Sequence, residues 1–294
     1  MLTGFAPAKV NLTLHVGPVK ANGRHDLDSL TVFTSHETAD RLVVAPADTL
    51  QLAVIGPYAD ACGAIGENLV MKAAYALRKV MNVDAGAQIT LVKHLPVAAG
   101  IGGGSSDAAT ALRLLNTLWD GPKVDTHLLA LAEKLGGDVP VCLRPKAVMM
   151  RGEGERLVPV TLPGQVPAVL VNSGVACPTG PVFRRFDSIG GGADFSLSQP
   201  PAVSGIDDLV DWLDQGINDL EGPAMSLVPE IASVLGELRA LSGVRLARMS
   251  GSGATCFALF NTPDDAARAA ATLTGRHPEW WVKATLLGTP HIAT

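Results

Sequence analysis

Residues 95–109 read LPVAAGIGGGSSDAA, and this glycine-rich segment decides how the rest of the chain is interpreted. Before it, alternating apolar residues over 88–93 predict a strand. After it, apolar residues recur at helical spacing from Ala108 to Trp119 and predict a helix. The segment is therefore predicted to connect a strand to a helix.

This connection has the chemistry of a loop that holds a phosphate group. Four of the five residues 100–104 are glycine, and glycine lets the backbone turn its N–H groups towards a ligand with no Cβ in the way. Ser105, Ser106 and Asp107 can cap the helix that follows, and the N–H groups and dipole at a helix start attract anions. The alternative is a plain glycine-rich turn before a capped helix, which the length and density of the glycine run disfavour.

Two common kinds of phosphate loop are excluded by the residues present. A Walker loop ends in Gly-Lys-Ser or Gly-Lys-Thr, and the chain contains no Gly-Lys pair. The dinucleotide fingerprint needs a third glycine three residues after its second, and counted from Gly100 and Gly102 that position is Ser105.

Length and composition indicate a globular protein of one large or two moderate domains. The chain has 294 residues and a net charge of −5, which argues against binding to nucleic acid through phosphate neutralisation. Its four cysteines are scattered without metal-binding spacing, and its seven histidines form no His-x-x-x-His pair. No signal peptide and no run of membrane length are evident, so the cytoplasm is the expected setting, with no membrane partner.

The order of predicted elements divides the chain into two domains, 1–163 and 164–294. The first domain includes a helix over 125–135 that Asp125 caps. In the second domain the order β-α-α-β-β-α-β predicts a split βαβ, ferredoxin-like half. The glycine-, serine- and proline-rich stretch 186–204 is predicted to be a surface loop.

Near the start of the chain, residues 4–16 alternate like one strand. The set of side chains that includes Val10 and Leu12 is predicted to face the core, and the other set includes Lys9 and Asn11. A solvated polar face is the ordinary meaning of such a pattern. The same pattern also puts a lysine and an amide in one row, as a binding site would need.

Several motifs, taken in order, resemble those of the GHMP small-molecule kinases. The glycine segment fits Pro-x-x-x-Gly-x-Gly-Gly-Gly-Ser-Ser-x-Ala-Ala, the pattern of the ATP loop in that family. The other motifs cover nearly the whole chain: PAKVNL (7–12), GRHDL (23–27), NLV (68–70), LGGDVP (135–140), PTGPVF (178–183), NDLE (218–221) and SGSGA (250–254). The resemblance implies the α+β, two-domain GHMP kinase fold, with a ribosomal-protein-S5-like N-terminal α/β domain and a ferredoxin-like split βαβ C-terminal domain. It places ATP and substrate in the cleft between the domains.

The same resemblance implies the roles of individual residues. Lys9 and Asp138 are the expected catalytic pair, because phosphoryl transfer to an alcohol needs a base for the hydroxyl proton and positive charge against the moving phosphoryl group. ATP and Mg²⁺ are the expected cofactors, with Ser106 on the metal. The residues expected to bind ATP are Asn68, Pro96, Ala98, Gly100, Gly102, Gly103, Gly104, Ser105 and Ser106. The residues expected to bind substrate are Asn11, Arg24, His25, Thr179, Phe183, Gly251 and Ser252.

Within the family, the motifs are most similar to those of a branch that acts on a cytidine diphosphate-linked sugar alcohol. That branch usually has an aromatic residue before the matching histidine, and this chain has Arg24 there. A guanidinium can also stack on a base, so cytosine is expected between Arg24 and Phe183. Two alternatives stay open here, namely a GHMP kinase with another alcohol substrate and a homologue that binds ATP without transferring phosphate. The expected assembly is a monomer or a weak homodimer.

Overall fold

The chain is described by a computed structural model that covers residues 1–122, 124, 126–193, 195 and 203–290. The strands are β1 (Leu2–Pro7), β2 (Lys9–Asn11), β3 (His15–Val19), β4 (His25–Thr34), β5 (Ala39–Ala47), β6 (Leu50–Ile55), β7 (Gly86–Val92), β8 (Val148–Gly152), β9 (Arg156–Pro159), β10 (Val166–Asn172), β11 (Leu246–Met249), β12 (Cys256–Leu259) and β13 (Trp281–Gly288). The α-helices are α1 (Leu69–Met81), α2 (Gly103–Leu118), α3 (Thr126–Leu135), α4 (Val139–Leu143), α5 (Thr179–Ser188), α6 (Ile206–Leu213), α7 (Glu221–Leu227), α8 (Glu230–Arg239) and α9 (Pro263–Arg276). Across these ranges, none of the helices combines the length and the apolar character that crossing a membrane requires.

Two β-sheets form the framework of the molecule. In the smaller sheet the strand order is β1-β5-β7-β6, with β6 parallel to β7 and the other neighbours antiparallel. In the larger sheet the order is β11-β12-β10-β13-β4-β8-β9, and β2 and β3 also pair with β4. Strands from before and after residue 163 therefore share one sheet, which is joined where Leu287 pairs with Thr34 and Gly288 with Phe33. The domain boundary at residue 163 stays a prediction.

The second half of the chain has the arrangement of a split βαβ unit. Strands β11, β12, β10 and β13 are neighbours in that order, and each neighbouring pair is antiparallel. The first strand of this half, β10, therefore lies in the middle, between the third and the fourth. This is the ferredoxin-like order, and the predicted fold class is confirmed.

The glycine segment is anchored at both ends by the core of the first half. Alternation along β7 buries Ile89 and Leu91 completely. In the same apolar cluster, α2 contributes Leu112 and Leu115, and α1 contributes Leu77. The strand before the segment and the helix after it are thus both fixed by packing, so the loop between them has fixed ends.

Residues 4–16 do not form the single strand that their alternation predicts. The strand β1 ends at Pro7 and belongs to the smaller sheet, whereas β2 starts at Lys9 and pairs with β4 in the larger sheet. The chain changes sheets between these two residues, so the alternation continues while the pairing partner changes.

The polar face of this stretch is buried and not solvated. Lys9 is 4% exposed, Asn11 is 1% exposed and Thr13 is fully buried. The second half of the chain covers this face, as the hydrogen bond from Asn11 N to Ser250 Oγ shows. A sequence pattern cannot reveal such a partner, because the partner lies in a distant part of the chain.

Besides the five-residue helix α4, the helices α5 and α7 were not predicted from the sequence. Both carry Gly-Pro in their first turn, at Gly180-Pro181 and Gly222-Pro223. Such a pair suggests a loop, yet proline is tolerated in a first turn, where its missing N–H is not needed. The predicted loop 186–204 therefore begins inside α5, and its residues 194 and 196–202 lie outside the described residues, as does the predicted cap Asp125.

Candidate active site

A cavity of about 560 Å³ lies where the glycine segment faces the second half of the chain. Its walls come from both halves, with Gly102 and Asp138 contributed by the first and Thr179, Phe183 and Gly251 by the second. Pockets for small ligands measure roughly 300–1,000 Å³, so the cavity has the size of a small-molecule site.

Lys9 and Asp138 form an ion pair in the wall of this cavity. Lys9 Nζ lies 3.0 Å from Asp138 Oδ2, and the two side chains are 5% and 38% exposed respectively. The backbone holds Lys9 in place, since its N–H donates to Ile101 O at 2.8 Å. Asp138 stands directly before α4. Within the described residues, its side chain makes no capping hydrogen bond to that helix. Its carboxylate is therefore directed to Lys9 and remains accessible from the cavity.

Two positions of the glycine segment require glycine because other groups approach them closely. Gly102 has a φ of +61°, and a Cβ there would lie 3.2 Å from Lys9 Cβ. Gly100 has a φ of +73°, and a Cβ there would lie 2.6 Å from the carbonyl oxygens of Ser250 and Gly253. Ser250 Oγ also donates to Gly100 O at 3.1 Å. The glycine segment and the loop 250–253 are thus packed backbone against backbone, and each fixes the position of the other.

A buried charge cluster holds the chain just before the glycine segment. Lys93 Nζ pairs with the carboxylates of Asp40 and Asp107, and the distance to Asp107 is 2.8 Å. Asp40 Oδ1 also accepts hydrogen bonds from the backbone N–H groups of His94 and Leu95, at 2.6 and 2.8 Å. The cluster therefore ties β5, the end of β7 and the first turn of α2 together under the segment.

The charges in this cluster are perturbed by their surroundings. Burial by itself lowers the pKa of Lys93, but the carboxylates of Asp107 and Asp40 outweigh burial and raise that pKa above its ordinary value. Burial raises the pKa of Asp107 above its ordinary value, the Lys93 ammonium opposes this shift, and the neighbouring Asp40 carboxylate adds to it. Lys93 is therefore a permanently charged anchor.

The far end of the cavity carries polar groups and an aromatic ring. Thr179 Oγ1 lies 2.9 Å from Ser252 Oγ, and both residues line the cavity together with Asn11. Phe183 also lines it, and the centroid of its ring is 5.1 Å from that of His25. This end therefore offers hydroxyl groups, an amide and a flat apolar face.

Most of the predicted site residues line this one cavity, but Arg24, His25 and Ser106 do not. The Arg24 side chain is 66% exposed, and its Nη1 lies 3.2 Å from Glu153 Oε2. The structure thus places Arg24 beside Glu153 rather than in the cavity wall opposite Phe183. His25 is buried, with Nδ1 2.9 Å from Gly17 O. Ser106 belongs to α2 and is 1% exposed.

Sequence reasoning missed four charged residues that line the cavity: Glu67, Lys93, Asp107 and Glu153. A signal was available for Lys93, because it is a charged residue at the end of an apolar strand. Asp107 was interpreted only as a possible cap, since its position at a helix start explains an aspartate without further function. Nothing in the sequence around Glu153 connects it to Arg24 or to the cavity.

Comparison with known families identifies two regions of the chain. Residues 68–146 match the family model for the GHMP kinases N terminal domain. Residues 204–278 match the model for the GHMP kinases C terminal region. The first match contains the glycine segment and Asp138, and the second contains the loop 250–253 that packs against the segment.

Two similar full-length proteins and one similar crystal structure carry the name of the same kinase. The chain is 56% identical over 291 residues to the 4-diphosphocytidyl-2-C-methyl-D-erythritol kinase of Hyphomonas neptunium, a match that covers 98% of this chain and 97% of that protein. It is 44% identical to the protein of the same name from Parvibaculum lavamentivorans, covering 98% of each. A crystal structure of 4-(cytidine 5'-diphospho)-2C-methyl-D-erythritol kinase is similar with a TM-score of 0.79 and 39% identity, covering 98% of this chain and 99% of that one.

Proposed function

We infer what this chain does from its family, because the chain belongs to the GHMP kinases. It is an ATP-dependent small-molecule kinase, and its substrate is 4-diphosphocytidyl-2-C-methyl-D-erythritol, a precursor in non-mevalonate isoprenoid biosynthesis. We propose that the acceptor is the 2-hydroxyl of this cytidine diphosphate-linked sugar alcohol. The observation that carries the proposal is the ion pair of Lys9 and Asp138 in a cavity that the glycine segment lines.

The proposed reaction assigns one step to each member of the pair. The Asp138 carboxylate takes the proton of the 2-hydroxyl. The freed oxygen forms a bond to the γ-phosphorus of ATP while the bond from that phosphorus to the ADP oxygen breaks. The Lys9 ammonium, 3.0 Å from Asp138, offsets the negative charge of the moving phosphoryl group. The backbone N–H groups of the glycine segment, at the start of α2, hold the ATP phosphates.

We propose that Mg²⁺ accompanies ATP at the start of α2. Ser106 Oγ and Asp107 Oδ1 are buried and have no hydrogen-bond partner among the described residues. Asp107 lines the cavity, and Ser106 lies next to it in the chain, just behind the cavity wall. Mg²⁺ takes oxygen ligands and is commonly held by a few protein groups together with phosphates. These two atoms would hold the ion, which supplies positive charge against the phosphate groups.

A direct assay tests the proposed function. Pure protein is incubated with ATP, Mg²⁺ and 4-diphosphocytidyl-2-C-methyl-D-erythritol, and release of ADP is followed. We expect turnover with this alcohol and none with homoserine, mevalonate or galactose as acceptor. Absence of ADP at high enzyme concentration, or equal turnover with those other alcohols, would overturn the proposal.

The role of Asp138 is tested by Asp138→Asn. We expect kcat to fall by about 100-fold or more, because a positioned base contributes roughly 10²–10⁴-fold. ATP affinity, measured by calorimetry, is expected to stay within about threefold, since phosphate binding rests on backbone groups. The matched control is Asp84→Asn, an exposed aspartate between α1 and β7, which should leave both quantities unchanged. Unchanged kcat in Asp138→Asn would reject Asp138 as the base.

We further propose where this protein acts, how it assembles and how its chain divides. It acts in the cytoplasm, which the four free cysteines support, and it has no nucleic-acid partner, which the net charge of −5 supports. Its assembly is a monomer or weak homodimer. Its two domains span 1–163 and 164–294. The family matches at 68–146 and 204–278 lie on either side of that boundary and support the division.

A further inference from the structure

The Asn11 side chain is held by two hydroxyl groups of the neighbouring strand. Asn11 Nδ2 donates to Ser29 Oγ at 2.7 Å and to Thr31 Oγ1 at 3.2 Å. All three residues are buried, and β2 pairs with β4 so that Asn11 lies opposite Thr31. These two bonds use both hydrogens of the amide nitrogen.

The direction of these bonds is fixed by a fourth residue. Ser29 Oγ lies 2.5 Å from the carbonyl oxygen of Thr13, and a carbonyl oxygen can only accept. The single hydrogen of Ser29 is therefore committed to Thr13, and Ser29 can offer Asn11 only a lone pair. The atom of Asn11 that faces Ser29 must then be the donor, which is the nitrogen.

It follows that the amide oxygen of Asn11 is turned away from the two hydroxyls. Asn11 Oδ1 is buried and has no hydrogen-bond partner among the described residues. Asn11 lines the cavity, and a Cβ built on the cavity-lining Gly251 would lie 3.4 Å from this oxygen. An unpaired buried carbonyl oxygen is costly, so its position points to a ligand that donates a hydrogen bond.

We propose that Ser29 and Thr31 are positioning residues, which hold the Asn11 amide so that its oxygen accepts a hydrogen bond from a hydroxyl of the sugar alcohol. The proposal rests on the function inferred above and deepens it. Asn11 stands two residues from Lys9 on the same face of β2, and both side chains line the cavity. The hydroxyl concerned is therefore a neighbour of the one that reacts, at the 1- or the 3-position of the alcohol.

This arrangement gives the site a means of discrimination. A site that leaves a buried polar group unpaired rejects an analogue that lacks the matching donor. If the Asn11 amide could flip by 180°, it would present its N–H₂ donor to the ligand as readily as its acceptor oxygen. The preference for a substrate that carries the hydroxyl would then weaken. Ser29 is thus expected to act on substrate selection without touching the substrate.

The test compares Ser29→Ala and Thr31→Val with wild type and with Ser173→Ala. Ser173 is a matched control, because its Oγ has no partner among the described residues and it does not line the cavity. Steady-state kinetics are measured with the full substrate, with analogues that lack the 1- or the 3-hydroxyl, and with the uridine counterpart of the substrate. The KM for ATP and the thermal midpoint are measured for each variant.

In Ser29→Ala we expect the preference for the full substrate over one of the deoxy analogues to fall by about five- to tenfold, the value of one neutral hydrogen bond. The change should appear in the KM of the alcohol, while the KM for ATP stays constant. Thr31→Val should show the same effect more weakly, and since it conserves volume it serves as the test if Ser29→Ala does not fold. Ser173→Ala should match wild type.

Other results would overturn the inference. An unchanged deoxy preference in both variants would mean that the two hydroxyls serve stability alone. A change in kinetics seen only with the uridine counterpart would mean that Asn11 contacts the base and not the alcohol. If wild type releases no ADP with the full substrate, the proposed function fails and the inference fails with it. If wild type is active and both variants keep the wild-type preference over the deoxy analogues, only the inference is overturned.

Discussion

At the scale of single residues, Gly100 shows how tightly the two halves of the chain approach each other. A Cβ at this position would lie 2.6 Å from two carbonyl oxygens of the loop 250–253, and its φ of +73° is one that other residues rarely adopt. We expect Gly100→Ala to lower the free energy of unfolding by about 2 kcal/mol, from left-handed strain and displacement of the loop. We also expect it to weaken ATP binding.

Gly104 offers the matched control for this prediction. A Cβ there would meet only Leu69 Cδ1, at an ordinary 3.8 Å, and the residue lies inside α2. Gly104→Ala should leave the free energy of unfolding unchanged or slightly raised, because alanine favours a helix over glycine. Denaturant unfolding of both variants is the measurement. Equal losses of stability would show that contact with the loop 250–253 is not the reason why position 100 requires glycine.

Residue identities in the site were largely accessible from the sequence, whereas residue environments were not. The motifs named Lys9 and Asp138, 129 positions apart, and the structure joins them at 3.0 Å. The burial of Lys9 could not be foreseen, because it depends on residues such as Gly102 that cover it only after folding. The contact of Arg24 with Glu153 was equally hidden, since no local pattern links two turns in different hairpins.

At the scale of elements, the turn between β3 and β4 is hydrogen-bonded to the turn between β8 and β9 through the carboxylate of Glu153. Glu153 Oε1 accepts from Asn22 Nδ2 and from Lys20 Nζ, each at 2.9 Å. These hydrogen bonds, from Asn22 first and then Lys20, lower the pKa of Glu153 from 4.5 to about 2. Since Glu153 lines the cavity, the contact fixes one wall of the site.

This pKa shift predicts a defined pH dependence. The folded state favours the ionised carboxylate, so the stabilisation by Glu153 is complete above pH 4.5 and is lost as the pH falls towards about 2. Thermal unfolding of wild type and Glu153→Gln should therefore differ by a constant amount above pH 4.5, and the difference should shrink below it. Glu133→Gln, an exposed position on α3, is the control. A difference that grows with acidity would contradict the assignment.

Prediction of elements succeeded where periodicity is long and failed where a proline or a change of sheet interrupts it. The helix predicted from Ala108 to Trp119 is α2, which spans Gly103–Leu118. The helices α5 and α7 carry Gly-Pro in their first turn, and no helix was predicted for either. Residues 4–16 kept their alternation across two sheets, because alternation reports which side chains face apolar surroundings and not which strand is the partner.

At the scale of the whole molecule, the larger sheet joins the two halves of the chain. It runs from β11 to β9 through β13 and β4, which come from opposite ends of the chain. We expect Phe257→Ala, a fully buried ring in β12, to lower the free energy of unfolding by about 3–5 kcal/mol. We expect a single transition, with circular dichroism and tryptophan fluorescence coinciding.

Tyr75→Ala is the control for this experiment, because Tyr75 is 50% exposed on α1. It should leave the transition nearly where it is in wild type. Two separated transitions, of which Phe257→Ala moves only one, would show that the halves unfold independently and that the shared sheet does not couple them.

The overall fold was predictable as a class, but the joining of its halves was not. The element order in the second half correctly implied the split βαβ sheet. The continuity with the first half depends on two residue pairs, Leu287 with Thr34 and Gly288 with Phe33. The two residues of each pair are more than 250 positions apart in the sequence. No sequence pattern in either strand indicates which strand it pairs with.

The position of β13 also has a consequence for protein synthesis. This strand comes late in the chain, at Trp281–Gly288, yet it lies between β10 and β4 in the larger sheet. During translation, β4 and β10 are made long before the strand that separates them, and chains fold from the N-terminal side as they emerge. A ribosome that stalls before residue 281 therefore leaves β10 with an open edge along Val166–Asn172, where β13 would pair with it, and an open edge can pair with another nascent chain. For this protein, slow decoding near the end of the message carries a greater aggregation hazard than slow decoding near its start.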